Sequence, residues 1–356
     1  MKKNPIVILL FILLLTKSLS SQEWKKDVPL LHQAVGACTW CDTSSTPEMI
    51  FTFGGNHETT VSVYSKVGSS WSWSDTPFQI PYMNIGSHSF NKWWEGKTTF
   101  LAKDHLGETV NEAVCVSGLV AGGLEVSSHT EVWTFDKQKG FSKPLVSGTH
   151  PGDRAWFGLA TLDGRVYLYG GSDPKSNSDL FELTRTSSSK FEWRVLPVHP
   201  NSISSPPPSL IQCSLLEAGG ILFLSGGARW ELRTPINNRT WVALIIDRKV
   251  FWIELLPESS NIKWYGVCWY EPSVGAIARF GSTTQIDSQT FNNIQGMLLG
   301  NWSWEDVQLI PTPLHRWRCS GAYIPSEKRY LMFGGYQVNK GKLTILNDTW
   351  SFSLFK

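Results

Sequence analysis

The sequence predicts an all-β fold built from a repeated unit of roughly fifty residues, and three observations carry that expectation. Apolar segments end again and again in a diglycine, aromatic residues recur at matching intervals after them, and charge is scarce. The 356 residues include 18 Trp, 18 Phe, 9 Tyr and 30 Gly, whereas Asp, Glu, Lys and Arg together make 17%. A soluble domain ordinarily carries about 25% of these four. Length alone suggests two or three domains. A repeat that cannot bury its faces alone argues instead for one, and the apolar content excludes disorder over most of the chain.

The first twenty residues stand outside the repeat. Lys2 and Lys3 precede an apolar run from Ile6 to Leu15, and Ser18-Leu19-Ser20 follows. A basic start, a short apolar centre and small residues at its end predict a secretory signal peptide over 1–20, leaving 21–356 as a single domain. The run is too short to cross a bilayer of ~30 Å as a helix, and no later stretch approaches ~18 uninterrupted apolar residues. Its removal takes three lysines and no acid, which moves the formal charge from +2 to −1. Neither value calls for nucleic acid or an anionic membrane as partner. The expected product is a soluble monomer, secreted or, in a bacterium, periplasmic.

The repeat itself is read from five segments: IFTFGG ending at Gly54-Gly55, LVAGG at Gly122-Gly123, YLYGG at Gly170-Gly171, LFLSGG at Gly226-Gly227 and LMFGG at Gly334-Gly335. A degraded sixth, IARFGS, ends at Gly281-Ser282. Successive first positions lie 68, 48, 56, 55 and 53 residues apart, too long for leucine-rich or ankyrin units. After each pair comes an aromatic in a strand-like run: Tyr64, Trp133, Phe181, Trp241, Phe291 and Trp350. A second aromatic follows in five copies, at Trp73, Phe141, Trp193, Trp252 and Trp304. Before each pair lies a further strand: QAVGACTW, TTFLA, WFGLATL, IQCSLL, YGVCWY and RCSGAYI. Glycine permits positive φ and close backbone approach where a strand exits, and large rings fill the wedge between neighbouring twisted sheets. The last copy lacks its Trp-bearing fourth strand, for which Glu23-Trp24-Lys25-Lys26 is the candidate. Its pairing with NDTWSF would close a ring and remove open edges.

Hydrophobic-GG segments, a spaced aromatic and a final NDTW together resemble the kelch-repeat family of β-propellers, in the galactose oxidase-like superfamily. The resemblance covers about residues 22–356. It implies a six-bladed propeller with four antiparallel strands per blade, the last blade closed by the N-terminal strand. It departs at Gly281-Ser282, and between Gly55 and Gly122, where extra residues around Asn91-Lys92-Trp93-Trp94 blur the second blade. Five or seven blades are the alternatives. Some kelch-like propellers are copper oxidases or sugar isomerases, and some hold acidic or polar ligands with arginines at the channel mouth.

Candidate chemistry is sparse. Six cysteines remain after removal of 1–20: Cys38, Cys41, Cys115, Cys213, Cys268 and Cys319. They permit disulfides in an exported chain. Four of them sit at comparable inner-strand positions, where the alternative is a buried thiol acting as a small hydrophobe. Cys38-Thr39-Trp40-Cys41 lacks the βαβ setting of a redox motif and the second pair of a zinc site. No HExxH, GxSxG, P-loop or GxGxxG is present in a fitting context, so no metal site or cofactor is expected. Entering the inner strands are His32, Arg154, Lys263, His315, Arg316 and Arg318, which the resemblance places near one mouth of the central channel. Guanidinium forks suit carboxylates; the competing reading spends them on backbone carbonyls and blade junctions. His57 follows the first glycine pair on a loop beside the same mouth. Trp93, Trp94, Trp156, Trp230 and Trp317 fall outside the aromatic register and are the candidates for a binding surface. Sequons occur at Asn238, Asn301 and Asn347; Asn238 is the best glycan candidate, and Asn347 belongs to the turn chemistry of NDTW. Two functions fit: an exported module binding a protein or glycan ligand, or a sugar-acting enzyme, either mutarotase-like or a copper oxidase.

Overall fold

Period-two burial marks three of the inner strands. Cys38–Asp42, Val267–Glu271 and Ser320–Ile324 alternate buried and half-buried positions along their length, as a pleated strand must when its two faces meet different surroundings. The strands beside them, such as Ala276–Phe280 and Leu222–Ser225, are buried throughout. That fits their reading as uninterrupted apolar runs ending in glycine. The computed structural model describes residues 23–55, 59–85, 88–90, 92–122, 125–172, 178–229, 239–255, 266–280, 294–299, 304–307, 313, 316–339 and 342–353. Among these the fold is all-β, with one 3-10 turn at Pro325–Glu327 and no helix long and apolar enough to cross a membrane.

Among the described residues, six sheets have four or five strands, each meandering outward from an inner strand. The inner strands are Cys38–Asp42, Lys97–Lys103, Phe157–Leu162, Ser214–Glu217, Val267–Glu271 and Ser320–Ile324. Each lies beside the next in this order, and the last lies beside the first. The outermost strand of the last sheet is Glu23–Asp27, antiparallel to Thr349–Ser353 with Trp24 opposite Phe352. The Arg329 guanidinium donates to Asp27 at 2.9 Å and ties this terminal strand to its sheet.

Two features depart from the expected four strands per copy. The third sheet carries a fifth, parallel strand, Leu145–Gly148, along Lys190–Leu196. The chain leaves the second sheet at Gly140–Ser142 and covers this exposed edge on its way inward. The extra residues before the second sheet form a hairpin, Met83–Ile85 with His88–Phe90, and a strand Lys92–Trp94 that pairs with Leu119–Gly122. The second sheet keeps its four strands. Trp93 is therefore core and not binding surface: it is 1% exposed and packs on Phe53, Trp133 and Phe141 at 5.7, 5.8 and 5.9 Å.

The diglycines are joints between sheets. Gly170 has φ +73, and a Cβ there would stand 2.1 Å from the Leu210 carbonyl oxygen. The Gly171 N–H donates to that same carbonyl at 2.7 Å. Gly54-Gly55 meets Trp93 and Gly334-Gly335 meets Ala34 in the same way. Leu210, Trp93 and Ala34 each lie on the segment leading into the next inner strand, so only glycine lets adjacent backbones bond there. All six cysteines are free thiols. Burial pushes Cys38, Cys41, Cys213 and Cys268 up to about 12 and Cys319 up to about 11.

Candidate functional site

The six inner strands enclose a cavity of about 200 Å³, with Thr39, Lys97, Leu159, Ser214, Val267 and Ser320 among its walls. Its rim is a collar of residues that stand just before the inner strands: Gly36, Glu95, Trp156, Gln212 and Arg318. All five occupy the left-handed region, with φ of 62, 57, 62, 58 and 55°. Four backbone hydrogen bonds link them in the order Arg318, Gly36, Glu95, Trp156, Gln212. Gly36 N–H donates to Arg318 O (3.0 Å), Glu95 N–H to Gly36 O (2.9 Å), Trp156 N–H to Glu95 O (3.1 Å) and Gln212 N–H to Trp156 O (2.6 Å).

Left-handed backbone costs a non-glycine residue on the order of 1–2 kcal/mol, and such strain persists only where the surroundings over-determine it. The collar hydrogen bonds do that. They hold four strained side chains at the rim, and the one glycine has a reason of its own. A Cβ on Gly36 would stand 2.7 Å from Glu95 Oε1, so Gly36 leaves room for that carboxylate.

Glu95 Oε1 lies 3.1 Å from Arg318 Nε, an ion pair without the alignment of a hydrogen bond. Burial raises the proton affinity of Glu95, and Arg318 and Lys97 oppose it. The Arg318 guanidinium also stands 5.2 Å over the Trp317 ring and 6.0 Å from that of Trp156. Trp317 packs on Tyr336 at 5.0 Å and exchanges backbone hydrogen bonds with it. The charge of Lys97 is felt by Glu95, Cys38, Cys213 and Cys319, which belong to four different sheets or their leads. Lys97 is itself among the residues that line the cavity. Gln212 Oε1 is buried without a hydrogen-bond partner among the described residues. Two cations, one carboxylate, an amide and an indole offer donors and one strong acceptor to a small polar group.

The residues singled out from sequence separate into three sets. Arg318, Trp156 and Trp317 stand at or against the collar. Arg154 and Arg316 are fully buried and belong to the scaffold. Arg154 donates to the carbonyls of Gly170 (2.9 Å) and Pro151, and its guanidinium covers the Phe181 ring at 5.2 Å. Arg316 donates to Gly334 O (3.1 Å) and holds Asp348 with two nitrogens at 2.5 and 2.9 Å. Both read the first glycine of a joint, which desolvates them completely and leaves no face for a ligand. His32 is also away from the rim: its Nε2 lies 3.0 Å from Asp75 on Ser70–Gln79, the strand of the first sheet farthest from the inner one. Lys263, His315, His57, Trp230, Asn238 and Asn301 lie outside the described residues, as does the side chain of Trp94.

Glu95, Lys97 and Gln212 were not picked out from the sequence. The signal was there: WFGLATL and RCSGAYI begin on Trp156 and Arg318, and IQCSLL carries Gln212 at its second position, one structural column. Polarity alone did not separate that column from any loop.

No family model matches this chain, and no curated protein matches it in sequence. Solved structures do match in fold. The structure of YjhT aligns with a TM-score of 0.63 at 11% identity, over 89% of this chain and 98% of that one. A fungal alcohol oxidase of the AA5 family, in complex with copper, aligns with a TM-score of 0.56 at 13% identity, over 90% of this chain and 63% of the oxidase. The likeness is one of fold, and it establishes a β-propeller. Among the described residues no three His, Cys, Asp or Glu side chains converge to hold a metal ion.

Proposed function

We propose that this chain is an exported, monomeric, six-bladed kelch-type propeller, closed by its N-terminal strand, that binds a protein or glycan ligand at the mouth of its central channel without a cofactor. The six sheets with neighbouring inner strands support the blade count, and the pairing of Glu23–Asp27 with Thr349–Ser353 supports the closure. The observation that carries the binding reading is the collar: Glu95, Trp156, Gln212 and Arg318 are held in a strained backbone region around one cavity. A scaffold role alone would be served more cheaply by glycine. At about 200 Å³ the cavity is smaller than the roughly 300–1,000 Å³ of drug-sized sites. It suits one sugar unit, or one side chain or chain end presented by a larger partner. The test is a glycan array followed by calorimetry on the mature protein and on Arg318→Ala and Trp156→Ala. The expected result is a ligand whose affinity falls at least about tenfold in each variant while melting falls by no more than a few degrees. Binding indifferent to both substitutions would overturn the assignment.

A second reading, a sugar-acting enzyme, is favoured by Glu95. A buried carboxyl with raised proton affinity beside an arginine is suited to act as a general acid. Accelerated anomer exchange by NMR, lost in Glu95→Gln, would support a mutarotase-like isomerase. Absence of copper from the purified protein would sink the oxidase form.

A further inference from the structure

The segment that brings Trp156 to the collar is clamped three residues upstream by an imidazole between two carboxylates. His129 Nε2 lies 3.1 Å from Glu131 Oε1, and His129 Nδ1 lies 3.2 Å from Asp153 Oδ1. His129 and Glu131 precede the third strand of the second sheet, whereas Asp153 sits on the crossing loop that leads into the third. A neutral imidazole has a single N–H and can serve only one of these oxygens; the imidazolium serves both. The other polar groups around the clamp are accounted for. Lys143 Nζ holds Glu131 Oε1 at 2.8 Å, and Trp133 Nε1 donates to Glu131 Oε2 at 3.1 Å. His150 accepts the Gly152 N–H at Nδ1 (3.0 Å) and meets the Thr130 carbonyl through Nε2 (2.9 Å). The Thr130 N–H donates to Asp153 Oδ1 (2.9 Å), and the Arg154 N–H to Thr130 Oγ1 (2.9 Å).

We infer that His129 is a positioning residue for Trp156, and that this clamp couples the geometry of the channel mouth to pH. The two carboxylates are not equivalent. Glu131 is largely buried and keeps Lys143 when His129 loses its proton, but Asp153 is 54% exposed. A lone pair turned toward Asp153 leaves that carboxylate better served by water, so the crossing loop is the side that moves. Arg154 and Ala155, the two residues between Asp153 and Trp156, are fully buried in close-packed surroundings. Such packing transmits a displacement instead of absorbing it. The hydrogen bond and charge of Glu131, with Asp153 adding to them, raise His129 above its ordinary value. The switch therefore sits above ~6.5, with the clamp closed on the acid side.

The inference takes the collar as the ligand site, but its test reads Trp156 without ligand. Protein labelled with 5-fluorotryptophan, its Trp156 resonance assigned through Trp156→Phe, is titrated from about pH 5.5 to 9, a span bracketing the histidine range. We expect one transition of that resonance with a midpoint above ~6.5, absent in His129→Gln and in Asp153→Asn and retained in His150→Gln. Using two separate lesions keeps the result decisive if one variant fails to fold. A Trp156 signal that does not change with pH, or a transition surviving in His129→Gln, would overturn the coupling. Where a channel ligand is in hand, its affinity should weaken about five- to tenfold across the same window, the low end of ordinary coupling, and stay flat in His129→Gln. Lack of any ligand would fell the binding reading and leave the fluorine result to decide this one.

Discussion

Trp24 is the residue through which the N-terminal strand bears on the rest of the chain, and Trp24→Ala measures that load. The indole is 1% exposed, 5.1 Å from the Phe280 ring of the fifth sheet and 5.2 Å from Phe352 of its own. An aromatic side chain of this kind buries on the order of 150–250 Å². At ~25 cal/mol/Å² that is roughly 4–6 kcal/mol, an upper bound because the unfolded chain already hides some of the area. Core Trp→Ala changes cost about 3–5 kcal/mol. The indole N–H makes no hydrogen bond among the described residues, so no polar loss adds to this. We expect a loss of about 4 kcal/mol and a fall in Tm of roughly 8 °C, at ~2 °C per kcal/mol for a large domain. Scanning calorimetry with near-UV dichroism gives the number. Lys26→Ala, an exposed neighbour on the same strand, is the control and should stay within about 0.5 kcal/mol. If Trp24→Ala melts with that control, the terminal strand carries no load and the closure argument fails.

Arg316→Ala should cost about 3–5 kcal/mol in urea titration, because Asp348 and the Gly334 carbonyl lose a fully buried partner. Arg318→Ala should cost no more than about 1 kcal/mol, since Glu95 can take up a proton instead of staying charged and buried; equal losses would erase the division between scaffold and collar. Burial pushes the Glu131 carboxyl up, but hydrogen bonds from His129 and Lys143 bring it down to about 2 from an ordinary 4.5. A depressed folded value stabilises above the unfolded one, so this contribution is whole above about pH 4.5 and drains away as the pH falls toward 2. Acid titration followed by dichroism should show Glu131→Gln flattened across that window, and an unaltered slope would contradict it. The four buried thiols, Cys38, Cys115, Cys213 and Cys319, should resist a disulfide reagent at pH 8 in the native protein and react only after unfolding; rapid native labelling of Cys38 or Cys213 would count against the inner-strand packing.

The parts of the molecule legible in one dimension are those the repeat enforces. The diglycines, the ring-bearing third and fourth strands and the unmatched Trp24 recur because every sheet must solve the same packing problem. Six similar solutions written in a row are conspicuous even when each alone is weak. The insertion around Trp93 was legible only as an interruption. Its strand pairs with Leu119–Gly122, some 25 residues later in the chain, and nothing local marks that partner. Arginine recurs at the head of the inner strands, yet Arg154 and Arg316 face the glycine joints whereas Arg318, two residues past Arg316, lines the cavity. A two-residue shift in a strained loop decides between burial on a carbonyl and exposure at the collar.

By itself, the sequence determined an all-β chain of repeated sheets, the glycine positions where backbones must meet, and the tryptophan left over at the start, because apolar periodicity and glycine placement are local requirements. Only the tertiary structure decided that Gly36, Glu95, Trp156, Gln212 and Arg318 line one cavity, joined by four backbone hydrogen bonds. Their neighbours in space come from sheets up to roughly three hundred residues apart in the chain. A left-handed backbone and a shared cavity are properties of the assembled ring of contacts, which no single repeat contains.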